Sequence, residues 1–134
     1  MNSEAEDLWK RASRNLRTAN TLTESDPDSA ASRAYYAAFH AVSALFALEG
    51  RTFSSHKSVQ AAVHRDLVHA GRWRPELGQA FAALAGLREM GDYGIGVHVT
   101  PEQAKAALTK AEAILEAIRR IAPEAFPGDS PDAR

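Results

Sequence analysis

The chain of 134 residues contains no cysteine, which excludes disulfides, thiolate metal sites and a cysteine nucleophile and suits a reducing compartment. Long apolar runs are missing too. The longest, residues 34–48, is interrupted by His40 and Ser43 and falls short of the roughly 20 residues needed to cross a bilayer, so no membrane span is expected. The first residues, MNSEAEDLWKRAS, lack the basic-then-apolar order of a secretory signal, and the expected location is the cytoplasm. Nor is there an excess of positive charge: 16 Lys and Arg against 17 Asp and Glu leave a formal net charge of -1. Whole-molecule electrostatics therefore cannot draw this protein onto nucleic acid, and any RNA contact must be local. Strand-like alternation and fixed-period repeats are absent, and GDYGIGVH follows no strand and does not match a dinucleotide fingerprint. His64, His69 and His98 show no metal-ligand spacing, so neither a metal nor a cofactor is expected.

What is present is alanine and helical periodicity. Hydrophobic residues make up 45% and charged residues 25%, the proportions of one ordinary globular domain. Asn2 or Ser3 caps a first helix with Leu8, Ala12, Leu16, Ala19 and Leu22 inward and Lys10, Arg14 and Arg17 on one exposed face. Asp26 and Pro27 start a second helix that runs to Gly50. Ser54 or Ser55 caps a third, at about residues 56–70. Pro75 opens a fourth with Leu77, Phe81, Leu84, Leu87 and Met90 inward. Thr100-Pro101-Glu102-Gln103 is a capping box for the fifth, which ends near Pro123. The expected fold is all-α, an antiparallel up-and-down bundle of about five helices over residues 1–122. The Pro- and Asp-rich residues 123–134 are expected to form a flexible tail.

The second helix, DSAASRAYYAAFHAVSALFALEG, carries the chemistry. At 100° per residue, Ser29, Arg33, Tyr36 and His40 stack along one edge of an otherwise apolar helix. A cation, a phenol and an imidazole buried there must meet partners or a ligand. Read as a network, Arg33 pairs with an acid such as Asp92, while Tyr36 and His40 hydrogen-bond inside the bundle or at a dimer seam. Read as a site, His40 moves a proton and Arg33 stabilises phosphorane charge, the groups for RNA cleavage without a metal. Arg88 and Asp92 have the spacing of an intrahelical ion pair, or else face the second helix with Tyr93 and complete that pocket. His56 and Lys57 open a helix, where free backbone N–H groups favour a phosphate.

SRAYYAAFHAVSALFALEG, followed by SHKSVQAAV and LREMGDYG, resembles the HEPN domain, the higher eukaryote and prokaryote nucleotide-binding domain. The likeness spans about residues 8–121 and is narrowest with the small stand-alone prokaryotic branch marked by S-R-x-Y-Y-A-x-F-H. It implies an all-α bundle, often a homodimer, in a family that includes metal-independent endoribonucleases of toxin–antitoxin and defence systems. Other members are expected to bind RNA or nucleotides, or to partner small nucleotidyltransferases as non-catalytic modules. In the catalytic branches the chemistry is carried by an Arg followed, after four to six residues, by a His. Here Arg88 is not followed by such a His; within a single helix, Arg33 and His40 have the spacing. They are the expected catalytic pair, with Tyr36, His56, Lys57, Arg88, Asp92 and Tyr93 as substrate-binding residues.

Overall fold

Helix boundaries fall where side chains can satisfy the first free backbone N–H groups. In the computed structural model, which describes residues 2–128, α1 (Ser3–Leu22) starts under Asn2, whose side-chain oxygen accepts from the Ala5 amide at 3.1 Å. Asp26 caps α2 (Pro27–Leu48) through the Ser29 amide, with Pro27 in the first turn. At its far end the Gly50 amide reaches the Ala47 carbonyl and the Arg51 amide that of Phe46, a Schellman closure. That closure needs the positive φ of 79° that Gly50 adopts. Ser55 caps α3 (His56–Ala62), which continues over Val63–Val68 as a wider π-helical turn. α4 (Pro75–Tyr93) begins at its proline, and α5 (Pro101–Ile121) begins with both hydrogen bonds of the Thr100–Gln103 capping box. No strand occurs among the described residues.

The four long helices alternate in direction, and the start of short α3 lies against the middle of α2. α2 packs against α1, α4 and α5, which leaves it little free surface. It tolerates three long neighbours because its covered positions are mostly alanine: Ala30, Ala31, Ala34, Ala37, Ala38, Ala41, Ala44 and Ala47 are all buried. Around them Trp9, Val42, Leu45, Phe46, Phe81, Leu84, Ile114 and Ile118 fill the core.

Two contacts fix the end of the bundle where α2 begins. A Cβ on Gly91 would lie 3.0 Å from the Asp28 carbonyl oxygen, so glycine lets α4 run against the start of α2. The Asp28 carboxylate accepts from the Val99 amide at 2.7 Å and pairs with His98 at 2.8 Å, pinning the connection between α4 and α5. His98 is thus a tether on an exposed loop.

The structure differs from expectation after α5. Residues 122–128 do not lead away as the front part of a flexible tail; they turn back over the start of α1. Phe126 is fully buried and stacks on Trp9 with ring centroids 4.9 Å apart, and the Trp9 indole N–H donates to the Pro127 carbonyl. An aromatic side chain with a core slot outweighs the Pro-rich composition around it. Residues 129–134, the rest of the expected tail, lie outside the described residues. Phe126→Ala is expected to lower unfolding free energy by about 3–5 kcal/mol; urea denaturation at neutral pH checks it, and a loss under ~1 kcal/mol would show the contact to be idle.

Candidate functional site

The face of α2 that carries Ser32, Tyr35, Tyr36 and Phe39 looks toward α4 and the start of α3. His56 reaches it because residues 49–55 fold back: Phe39 lies nine residues before the end of α2, about 13 Å at 1.5 Å per residue, which seven residues of loop can retrace. The His56 ring stacks on Phe39, with centroids 4.4 Å apart, and its Nδ1 shares a 2.8 Å hydrogen bond with the Tyr35 hydroxyl. Tyr35 itself is fully buried, and its phenol is satisfied by that bond together with one to the Gln60 side chain.

Across from it, the Arg88 guanidinium lies 5.1 Å from the Tyr35 ring centre and 5.9 Å from those of Tyr36 and Tyr93. Its side chain is only 16% exposed, and its Nε is buried without a hydrogen-bond partner. The nearest carboxylate, Asp92, stands off at 3.8 Å and also meets the Ser32 hydroxyl at 3.5 Å. This is the i,i+4 pair the spacing predicts, held loosely, and it faces α2 as well. Tyr93, 71% exposed, forms the outer lip.

Arg33 sits on the other side of Tyr36, 5.2 Å from the ring centre, and donates to the Asn15 side chain of α1 at 3.0 Å. The expected pairing of Arg33 with Asp92 is therefore replaced: α1 covers that edge of α2, and Asn15 is the polar group it presents. Tyr36 is flanked by two guanidinium groups. His40 lies one turn further on, its ring 6.0 Å from that of Tyr36, and faces the start of α1 and the loop after α2. The stripe on α2 thus divides: Arg33 and Tyr36 join the cationic cluster, while His40 borders a separate cavity.

Of the sequence-predicted residues, Arg33, Tyr36, His56, Arg88, Asp92 and Tyr93 come together and His40 adjoins them. Lys57 does not: it is exposed and points no contact into the cluster. Tyr35, Phe39, Ser32 and Asn15 were not singled out by sequence reasoning. The first three lie at helical spacing on the face next to the predicted edge, within S-R-x-Y-Y-A-x-F-H; Asn15 could be found only from packing. Among the described residues no group of three or more His, Asp or Glu could hold a metal ion.

Burial pushes the His40 pKa below its ordinary 6.5, and the nearby Arg11 and Arg33 charges add to this. His56 is lowered by burial and by Arg88. Both rings are neutral at pH 7. A histidine whose folded pKa is depressed takes up its proton more readily when unfolded, so stability is highest above 6.5 and falls as pH drops from there toward the folded pKa. We expect the His40 and His56 ring resonances to titrate below 6.5 by NMR, and the acid-side loss of stability to shrink in His40→Asn; a midpoint above 6.5 for His40 would contradict the burial described.

Comparison with known proteins agrees with this architecture. A model of the HEPN domain matches residues 5–121. The chain is 38% identical over 117 residues to a UPF0332 protein of Thermotoga maritima, covering 86% of this chain and 89% of that one. It also superimposes on the crystal structure of TT1696 from Thermus thermophilus with a TM-score of 0.75 and 26% identity, covering 90% of this chain and 98% of the other. No helix among the described residues is long and apolar enough to cross a membrane. With an all-α bundle, a family match over nearly its whole length and a close relative in the same size class, the chain belongs to the HEPN domain family, a nucleotide- and RNA-related family whose domains commonly dimerise.

Proposed function

We propose that the protein binds RNA or a nucleotide at the cluster between α2 and α4, within a toxin–antitoxin-like or defence module. The observation that carries this reading is Arg88. A largely buried guanidinium among three tyrosine rings, with one nitrogen unpartnered and its carboxylate neighbour at 3.8 Å, is under-neutralised for its surroundings. A phosphate supplies the missing acceptor and charge. Arg33 adds a second cation beside Tyr36, and exposed Tyr93 offers a face on which a base stacks.

The cleavage reading joins this cluster to the neighbouring cavity that His40 borders. His40, neutral by burial, is a proton acceptor, and Arg33 offers charge for a phosphorane. They lie seven positions apart, about 10 Å along the helix at 1.5 Å per residue, a gap that one phosphate and two side chains can close. The alternative is a non-catalytic dimeric module that partners a small nucleotidyltransferase. It is favoured by Tyr93, Ile95 and Val97, which stand 71%, 97% and 52% exposed beside the site, more apolar surface than a solvated loop requires.

Two measurements separate these readings. Fluorescence anisotropy with labelled single-stranded RNA is expected to show binding that weakens with salt. Arg88→Ala should lower affinity about tenfold or more and reduce the log–log salt slope by about one; unchanged affinity and slope would exclude Arg88 from the site. For cleavage, the imidazole and guanidinium chemistry predicts activity that persists in EDTA and is lost in folded His40→Ala and Arg33→Ala. Wild-type cleavage by His40→Ala would remove the catalytic assignment, and an inert wild type would favour the interaction module.

A further inference from the structure

Beyond Phe39 from the Arg88 cluster, the start of α1, the middle of α2 and the loop after α2 enclose a cavity of about 190 Å³. We propose that this cavity seats one nucleobase of a single-stranded RNA while a phosphate of the adjoining nucleotide, beyond the base's own, lies at the Arg33–Arg88 cluster. The ligand is then an oligonucleotide spanning both subsites rather than a free nucleotide. The inference rests on the binding reading above and makes it more specific.

Size, charge and unsatisfied polar groups all select a base. Small-molecule pockets run to roughly 300–1,000 Å³, so this smaller cavity admits one planar ring system and not a whole nucleotide. Leu8, Phe39 and Phe53 give it apolar walls, with two phenyl rings on which a base can stack. Glu4 is in its lining, and the one cation there, Arg51, is held by Asp66 at 2.8 Å and lies against the Phe46 and Phe53 rings. A phosphate would meet an acid and no available counter-charge; a neutral base meets neither difficulty.

The polar groups come from α2. His40 and Ser43 are three residues apart and line the cavity together. The His40 Nδ1 is buried with no partner among the described residues and reaches a base by a turn of the ring, whose half-buried remainder lines the cavity. Hydroxyls inside helices commonly bond back to a carbonyl one turn earlier, as Thr21 and Thr109 do here, whereas half-buried Ser43 makes no such bond. A neutral imidazole and a free hydroxyl, each able to donate or accept, match the mixed donor and acceptor edge of a base. Phe39 joins the two subsites: one ring walls the cavity and also stacks on His56. The His40 and Tyr36 rings, 6.0 Å apart, place the cavity directly beside the cationic cluster.

The test compares three probes on the intact protein: a short single-stranded RNA, the same ribose-phosphate chain lacking its bases, and a nucleoside monophosphate. Ser43→Leu fills the cavity. It should weaken the base-bearing RNA about tenfold, the scale of one lost stacked base, and leave the other two within about twofold. Ser43→Ala, which cannot disturb the helix, should weaken only the base-bearing RNA, by a smaller factor. In the wild type, that RNA should shift the Leu8 methyl and Ser43 amide NMR resonances, and the abasic chain should not. Equal affinity of Ser43→Leu and wild type for the base-bearing RNA, or equal weakening of all three probes, would overturn the base subsite while Arg88-dependent binding stands. Wild type binding none of the probes would overturn both readings.

Discussion

Close packing around α2 is the constraint on which the other features depend. Thirteen of its twenty-two residues are buried, and because most of those are alanine, α1, α4 and α5 can all approach it. A helix enclosed this way has few places to put a polar side chain. Those it does carry must lie along the seams between its neighbours, where another helix ends or a loop passes. Ser32, Arg33, Tyr36 and His40 occupy such seams. The end of α4 brings Arg88 and Asp92 to one; Asn15 of α1 faces the next; the loop after α2 borders the third. Close packing and a polar site have one origin, small residues on one helix.

The aromatic side chains set the rigidity of the site. His56 is clamped between a stack on Phe39 and a hydrogen bond to buried Tyr35. Arg88 rests against Tyr35 and Tyr36. Cation–π contacts of this kind hold a guanidinium in place without neutralising it, unlike a close carboxylate pair. The positive charge therefore remains available to an anion, although the chain as a whole carries a formal net charge of -1. A locally cationic site on a near-neutral molecule limits non-specific attraction to nucleic acid and leaves recognition to short-range contacts.

Periodicity and capping chemistry make the helices legible in the sequence. Asp26 and the Thr100–Gln103 box cap the helices expected of them, and of the paired candidates Asn2 or Ser3 and Ser54 or Ser55 the caps are Asn2 and Ser55, because a cap is a local interaction between residues three apart. The expected inward residues of α1 omit Trp9, which is buried. The family was legible as well, since S-R-x-Y-Y-A-x-F-H and the Arg88–Tyr93 block lie within the matched residues 5–121.

By itself, the sequence determined that the chain is helical, where its helices begin, that the second would be the most enclosed, and which side chains share one edge of it. Helical periodicity dictates these, and it acts within a few residues. Tertiary structure alone decided which neighbour covers each edge. It gave Arg33 to Asn15 rather than Asp92, folded residues 49–55 back so that His56 meets Tyr35 and Phe39, and turned His40 toward a cavity away from Arg88. It also seated Phe126 on Trp9, against the Pro-rich composition of its segment. These pairings join residues up to more than a hundred positions apart, as Trp9 and Pro127 show. They are set by competition among whole helices for the same buried surface, which no local pattern encodes.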